Sequence, residues 1–254
     1  MYFPDNFSEM KGSYFPSMVN RTEDYTFEAS QRLRQWLQEM RAAGKITFLL
    51  TSSHIDYGSM LLKRILGKDW KLYFDVSFFR ARKPLFFTDE DTAFHSITDE
   101  LKEGPSVDSL KMHGCYLNGN WNLFRSFLKH ESGMADPKVL YFGDSLPSDI
   151  VASRQFSDWT TVAIVEELET EELDTIERHI SQEDRNLLSS KQWGSFFYDN
   201  CPISGQVTNT FWHQVLRDNT PLVIPHMDTL TALPLDRAYN SCIFFPKPAF
   251  KDLP

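Results

Sequence analysis

The sequence predicts an α/β fold built on a parallel β-sheet flanked by helices. Apolar runs at 46–50, 71–79, 139–142 and 160–165 alternate with segments of helical periodicity, and the links between them are short. The first run is apolar on both faces, as in strands that are covered by helices on both sides. Alternation of this kind is typical of a parallel sheet, whose ligands bind beyond the carboxyl ends of the strands.

Helical spacing of apolar residues predicts the helices in order. The helical pattern starts near Thr26 and ends at Gly44, since glycine favours the position just beyond a helix end. A second helix follows the first strand and ends at Gly67, a third covers about 120–130, and a fourth begins near Pro147. The apolar positions of the first two are Leu33, Trp36, Leu37, Met40, Met60, Leu61 and Ile65.

Three regions are expected along the chain. Residues 1–25 are rich in Pro, Ser, Tyr and Phe and show no clear period, so we expect an irregular segment. Residues 26–190 form the α/β core, with a polar, loop-rich insertion at 88–118. The aromatic and proline-rich part, 191–254, is expected to pack on that core as an extension.

Composition limits the classes of function. A chain of 254 residues with 41% hydrophobic residues can bury a substantial core. A formal net charge of −9 disfavours a nucleic-acid polymer as partner, because phosphate backbones attract basic surfaces. The three cysteines, an odd number at wide spacing, indicate free thiols and a reducing compartment. We see neither a signal peptide nor a membrane span, so the expected location is cytoplasmic; nothing indicates the oligomeric state.

Two carboxylates follow the strand at 139–142. Asp144 comes at the strand end, and Asp149 lies about one turn into the next helix. Oxygen ligands in this arrangement suit Mg²⁺, which keeps several waters and needs only one or two protein carboxylates. The alternative is structural: Asp149 caps the helix N-terminus and Asp144 stabilises the turn.

Hydroxyl groups and a lysine follow other strands. Thr51, Ser52 and Ser53 come at the end of the first strand and open a helix, where hydroxyls and backbone N–H groups can bind an anion. Simple capping of that helix is the alternative. Lys83, in an otherwise apolar stretch, could neutralise a phosphoryl oxygen, or could be an ordinary surface lysine.

The letters Gly-Asp-Ser-Leu at 143–146 suggest a different enzyme, a serine esterase with Ser145 as nucleophile. That fold places the motif near its N-terminus and uses an Asp-x-x-His near the end. None of the seven histidines here has an aspartate three residues before it. A serine nucleophile needs a base, so this interpretation is disfavoured.

Taken together and in this order, the motifs resemble a known family. The motif series of the haloacid-dehalogenase superfamily is similar to three stretches of this chain, "LLTSSHIDY", "ARKPLFF" and "VLYFGDSLPSDI". In detail these stretches resemble the cytosolic purine 5′-nucleotidases of that superfamily and the relatives that contain a 5′-nucleotidase domain. The resemblance extends from about residue 3 to about residue 240. It implies a Rossmann-like parallel sheet and Mg²⁺-dependent hydrolysis of a small phosphate monoester, such as a nucleoside monophosphate.

The resemblance also implies roles for individual residues. Thr51 would hold a phosphoryl oxygen, with Ser52 and Ser53 beside it. Lys83 would offset the charge on the phosphoryl group and the nucleophile. Asp144 would bind Mg²⁺, and Asp149 would support it from the adjacent turn.

One family motif does not appear where the resemblance expects it. An Asp-x-Asp after an apolar strand should precede Thr51, but Asp5 and Asp24 are isolated. Asp89 and Asp91 have the right spacing but follow Lys83, on the wrong side of the motif order. We therefore expect a chain that lacks the nucleophile and the first, central strand, and that is inactive as given. The alternative is a non-enzymatic remnant that binds a phosphate or a partner.

Overall fold

The computed structural model describes residue 7 and residues 9–170, 196–200, 207–231 and 233–234. The chain forms two compact units, Met1–Pro137 and Lys138–Pro254. Each unit contains a β-sheet whose neighbouring strands are largely parallel, with helices beside it. The predicted α/β class with a parallel-rich sheet is therefore confirmed.

The first unit contains a five-stranded sheet in the order β1-β2-β5-β3-β4. Strands β1, β2 and β5 are parallel, whereas β3 and β4 form an antiparallel hairpin on the β5 side. The strands are β1 Phe48–Leu50, β2 Val76–Phe79, β3 Phe94–Ile97, β4 Glu103–Val107 and β5 Gly114–Asn118.

The helices of this unit begin and end at residues that suit those positions. Ser30 caps α3 by accepting a hydrogen bond from the N–H of Leu33, and Asn120 caps α6 through the N–H of Leu123. Gly44 and Gly67 follow α3 and α4 with positive φ, as predicted. The helices are α1 Tyr14–Asn20, α2 Thr22–Tyr25, α3 Gln31–Ala42, α4 Ile55–Leu66, α5 Leu85–Thr88 and α6 Trp121–Ser132.

Apolar side chains cover both faces of β2, because successive residues of a strand point to opposite sides. Phe78 is fully buried, and its ring centroid lies 4.9 Å from that of Phe94 and 4.8 Å from that of Phe124. Phe79 packs on the other face with Ile55 of α4. Burial on both faces explains why the sequence of this strand is apolar without alternation.

A buried ion pair closes the amino end of β2. Asp75 is 5% exposed, and its Oδ1 accepts hydrogen bonds from Nε and Nη2 of Arg41 at 3.0 and 2.7 Å. Its Oδ2 accepts from the N–H and the hydroxyl of Thr47. These bonds tie α3 and the start of β1 to β2, at the end of the strands opposite the predicted ligand site.

The second unit contains a three-stranded parallel sheet in the order β10-β7-β6. Apolar clusters lie on both faces of β7: Ala163 belongs to one and Val162 to the other. A separate antiparallel pair joins β8 and β9. The strands are β6 Leu140–Gly143, β7 Thr160–Ile164, β8 Tyr198–Asn200, β9 Val207–Asn209 and β10 Leu222–Ile224.

The helices of the second unit follow and precede these strands. A π-helical segment, Leu146–Val151, comes after β6 and continues into α7, so the helix predicted near Pro147 is present. The other helices are α8 Glu167–Thr170, α9 Phe211–Asn219 and α10 Asp228–Thr231, with α7 at Ala152–Phe156. None of the helices in the described part of the chain is long and apolar enough to cross a membrane.

Three local expectations differ from the structure. Residues 1–25 were expected to be irregular, but α1 and α2 lie within them. The range 88–118 was expected to be rich in loops, but it contains the β3–β4 hairpin and all of β5, which lies in the middle of its sheet. The polar residues Glu103 and Ser106 are on exposed positions of β4. The run 71–79 was expected to be one strand, but a 3₁₀ segment, Trp70–Tyr73, precedes β2.

The region boundaries at residues 25 and 190 stay predictions. Residue 190 and part of the expected extension at 191–254 lie outside the described residues.

Candidate functional site

The carboxyl ends of β1 and β2 carry the predicted phosphate-binding residues of the first unit. Thr51 comes immediately after β1 and donates its N–H to the carbonyl of Phe78, extending the parallel pairing by one residue. The carbonyl of Thr51 accepts from the N–H of Ala81. The chain after β1 and the chain after β2 are therefore bonded together where the strands end.

The hydroxyl groups in this turn bond to the turn itself. Oγ1 of Thr51 accepts a hydrogen bond from the N–H of Ser53 at 3.1 Å, and Oγ of Ser52 accepts from the N–H of Lys83 at 3.0 Å. The N-cap of α4 is His54, and it makes no side-chain capping bond. Capping of α4 by these hydroxyls, the structural alternative, is therefore not what the structure shows.

The backbone after β2 has an unusual conformation that brings Lys83 to this turn. Arg80 and Arg82 both have positive φ, and the Lys83–Pro84 peptide bond is cis. Lys83 is partly buried, whereas Ser52 is exposed. The structure therefore brings together all four residues that the sequence predicted for phosphate binding, in two hydrogen-bonded pairs, Thr51–Ser53 and Ser52–Lys83.

Glycine at position 58 lets α4 lie close to the sheet. A Cβ at Gly58 would lie 2.8 Å from a ring carbon of Phe79. The helix that begins directly after the Thr51–Ser53 turn is thus held against β2. This packing of α4 on β2 fixes the position of the Thr51–Ser53 turn.

In the second unit, Asp144 and Asp149 occupy different environments. Asp144 is exposed at the end of β6. Asp149 is 1% exposed; its Oδ1 accepts from the hydroxyl of Tyr141 at 2.8 Å, and its Oδ2 accepts from the N–H of Ser145 at 3.2 Å. Burial first, and the negative charge of Asp149 second, raise the pKa of Tyr141, so this hydroxyl is a proton donor at neutral pH.

Gly143 makes the close approach of Asp149 possible. A Cβ at position 143 would lie 2.4 Å from Cβ of Asp149. From the sequence, Gly143 was considered only as part of the Gly-Asp-Ser-Leu letters, and Tyr141 was not singled out. The signal was present, because residues two apart in a strand face the same side, which places Tyr141 and Gly143 together against Asp149.

The donor set fits a weak Mg²⁺ site better than a closed metal cage. Asp144 offers an exposed carboxylate, while both oxygens of Asp149 already accept hydrogen bonds from protein donors. Across the described residues, no group of three or more His, Cys, Asp or Glu side chains is gathered to hold a metal ion. Mg²⁺ tolerates such a site because it keeps several of its waters.

The other sequence candidates have structural roles. Oγ of Ser145 accepts from the N–H of Ser148 at 3.4 Å, as the cap of the π-helical segment. Oδ1 of Asp89 accepts from the N–H of Asp91, and its Oδ2 accepts from the hydroxyl of Thr92, which is the main cause of a lowered pKa of Asp89. Asp89 thus closes a turn, and Cys115 is a free, partly buried thiol.

Two asparagines at the carboxyl end of β5, Asn118 and Asn120, are part of this edge of the sheet and were not predicted from the sequence. Asn120 is 2% exposed and donates to the carbonyls of Glu90 and Thr92, which fixes the loop that contains Asp89. Asn118 has positive φ and lies within hydrogen-bond distance of His95. The Asn-Gly-Asn letters at 118–120 were the available signal, because asparagine and glycine tolerate left-handed backbone.

Comparison with known proteins identifies the class. The model of the 5′ nucleotidase family matches residues 9–199. The chain belongs to this family.

Individual relatives are consistent with that assignment. The chain is 33% identical over 253 residues to human 5′-nucleotidase domain-containing protein 1, which covers 92% of this chain and 55% of the relative, and the bovine protein of that name matches equally well. Human 5′-nucleotidase domain-containing protein 2 is 35% identical over 163 residues, 64% of this chain and 30% of the relative. The chain therefore spans about half the length of the first two relatives.

Proposed function

We propose that this chain carries the phosphate-binding and metal-binding part of a 5′-nucleotidase-family phosphohydrolase. The substrate would be a small phosphate monoester, such as a nucleoside monophosphate. The observation that carries the proposal is the Thr51–Ser53 turn bonded to Lys83 at the carboxyl ends of two parallel strands. Ligands of parallel sheets bind at that edge.

Each residue of the turn has a proposed task. The hydroxyl groups of Thr51, Ser52 and Ser53 would donate hydrogen bonds to the phosphoryl oxygens, and Lys83 would neutralise part of their charge. The hydrogen bond between Ser52 and Lys83 supports this, because it holds both residues at one place before any ligand binds. Preorganised groups stabilise developing charge without rearranging during the reaction.

Asp144 would bind Mg²⁺ directly, and Asp149 would support it from behind. The ion would supply positive charge to the phosphoryl oxygens.

The covalent step needs an attacking carboxylate, and among the residues that the structure describes we do not find one in a suitable place. In this chemistry an aspartate oxygen bonds to phosphorus while the ester oxygen leaves and takes a proton from a second aspartate; water then cleaves the acyl phosphate and returns that proton. The only Asp-x-Asp of the sequence is Asp89–Asp91. Because the carboxylate of Asp89 closes a turn, we propose that it is not the nucleophile and that the 254 residues alone are inactive.

The second candidate function is a non-catalytic module that binds a phosphate or a partner. The position of Asp89 in a turn favours it, because such a module needs the Thr51–Lys83 site but no nucleophile. The two candidates differ in what an added nucleophile would do. A remnant would stay inactive, whereas the phosphohydrolase would gain activity.

The experiment measures phosphate release from IMP, GMP and AMP with Mg²⁺. It compares the chain alone with a chimera that places the Asp-x-Asp segment of an active family enzyme ahead of Met1. We expect no turnover by the chain alone and turnover by the chimera, lost in its Lys83→Ala form but retained with Lys63→Ala, an exposed lysine on α4. Activity of the chain alone that Lys83→Ala abolishes would contradict the proposed inactivity.

A further inference from the structure

A buried tyrosine lies behind the turn that carries Asp144. Tyr141 is 6% exposed, and its hydroxyl donates to Oδ1 of Asp149 at 2.8 Å. The other oxygen of Asp149 accepts from the N–H of Ser145, the residue directly after Asp144. A continuous hydrogen-bonded path therefore leads from the Tyr141 hydroxyl to the backbone of the turn.

We propose that Tyr141 is a positioning residue for the metal site: its hydroxyl fixes Asp149, and Asp149 fixes the backbone that presents Asp144. The inference rests on the proposed function, because holding Asp144 in place matters only if Asp144 binds the metal ion. Tyr141 itself does not touch the metal or the substrate. It acts through Asp149.

The packing around Tyr141 prevents its ring from moving away. The ring of Trp159, which is 2% exposed, lies edge-on with a centroid distance of 5.1 Å and an interplanar angle of 62°. Gly143 is on the same side of β6 and leaves the space that Asp149 fills. The hydroxyl is thus held at one place with respect to β6.

The segment that carries Asp149 is fixed from its other end as well. The N–H groups of Asp149 and Ile150 both donate to the carbonyl of Ser145, and the hydroxyl of Ser153 donates to the carbonyl of Asp149. The same hydroxyl lies 2.6 Å from that of Thr161 on β7. Because the backbone of Asp149 is held in this way, the Tyr141 hydroxyl selects the orientation of the carboxylate.

The hydroxyl of Tyr141 orients the carboxylate of Asp149, which lies behind the exposed carboxylate of Asp144. Hydrogen bonds behind metal ligands commonly change metal affinity by about 10–100-fold.

The test begins with Tyr141→Phe, which removes the hydroxyl and keeps the ring against Trp159. The control is Tyr116→Phe: Tyr116 is 7% exposed, its hydroxyl accepts from the N–H of Lys111 at 2.8 Å, and it lies in the other unit. Both variants lose one hydrogen bond of a buried tyrosine. Only the first is expected to affect the turn after β6.

The first measurement needs no metal. Hydrogen exchange of the Ser145 amide, followed by NMR on the ¹⁵N-labelled chain, should become at least about tenfold faster in Tyr141→Phe and stay unchanged in Tyr116→Phe. An unchanged rate in Tyr141→Phe would overturn the inference. If Tyr141→Phe does not fold, exchange of the Tyr141 hydroxyl proton is measured instead. This proton should be protected from exchange in the unmodified chain and should lose that protection in Asp149→Ala. An unprotected proton in the unmodified chain would overturn the inference.

The second measurement adds Mn²⁺ as a probe and follows the broadening of the Asp144 and Ser145 amide signals. The Mn²⁺ concentration that gives half of the maximal broadening should be about tenfold higher in Tyr141→Phe than in the unmodified chain. In an Asp149→Asn background, Tyr141→Phe should cause no further shift; an equal shift there would overturn action through Asp149. Absence of broadening in the unmodified chain would contradict the proposed metal role, and the exchange rate of Ser145 would then decide the positioning role by itself.

Discussion

The side chain of Ser52 accepts a hydrogen bond from the backbone of Lys83 at 3.0 Å, although 31 residues separate them in sequence. The bond joins the turn after β1 to the turn after β2. It brings a hydroxyl-rich turn and a lysine to the same edge of a parallel sheet, which is the arrangement on which the proposed phosphate site depends.

We predict that Lys83→Ala weakens binding of inorganic phosphate to the chain by about 10- to 150-fold, because a cation that contacts a phosphoryl group contributes a charge-assisted hydrogen bond of roughly 1.5–3 kcal/mol. The change in ³¹P chemical shift during titration measures the affinity. Lys63→Ala, at an exposed position of α4, is the matched control. Equal losses in the two variants would show that only general positive charge is involved.

We predict that Asp144→Asn removes the Mn²⁺-dependent broadening around the β6 turn, since an amide is a poor replacement for a carboxylate ligand of a hard cation. Binding by the unmodified chain should be weak, with little calorimetric heat at millimolar Mg²⁺. Asp158→Asn, an exposed aspartate in the same unit, should leave the broadening intact. Tight binding that Asp144→Asn does not affect would place the metal elsewhere.

We predict that Gly143→Ala destabilises the chain by about 2–4 kcal/mol, because its Cβ would lie 2.4 Å from Cβ of Asp149 in a closely packed region. Gly44→Ala is the comparison: its Cβ meets no atom within 4 Å but its φ is +74°, so it should cost only about 1 kcal/mol. Urea denaturation followed by circular dichroism measures both. A cost for Gly143→Ala no larger than that of Gly44→Ala would contradict the close approach.

We predict that Asp75→Asn destabilises the first unit by about 2–4 kcal/mol, because it leaves Arg41 without its buried counter-ion. Asp24→Asn provides the contrast, since Asp24 is exposed and its Oδ2 lies 3.7 Å from Nη1 of Arg21. This variant should lower the free energy of unfolding by less than about 0.5 kcal/mol. Thermal melting of both variants, read by tryptophan fluorescence, makes the comparison. Similar melting temperatures for the two would show that the Arg41–Asp75 pair contributes little.

A pH dependence is expected at the Asp89 turn. The hydroxyl of Thr92 and the N–H of Asp91 bond to the ionised form and hold the pKa of Asp89 below its usual range. The group therefore contributes stability that is present above the unfolded pKa and is lost as the pH falls through the folded pKa. NMR titration of the Asp89 carboxyl should show that Thr92→Val raises its midpoint, because the variant removes the hydroxyl that bonds to the carboxylate; an unchanged midpoint would contradict this cause.

The sequence by itself determined the fold class, the ends of α3 and α4, the start of the helical segment near Pro147, and the candidate residues after β1, β2 and β6. The spacing of apolar residues and the residues that mark helix ends or starts, such as Gly44, Gly67 and Pro147, are local features of the chain. They can be recognised without knowing what packs on them. The family resemblance depends on the order of strand-end motifs, which is also a property of sequence alone.

Only the tertiary structure decided the roles of Ser52, Tyr141, Asp149 and Asn120. Sequence could not show that Ser52 bonds to Lys83 rather than capping α4, or that both oxygens of Asp149 are already occupied by Tyr141 and Ser145. The hairpin in 88–118 was also missed. The physical reason is the same in each case: hydrogen-bond partners and strand pairing are set by which segments come together in space, and a local pattern of residues does not contain that information.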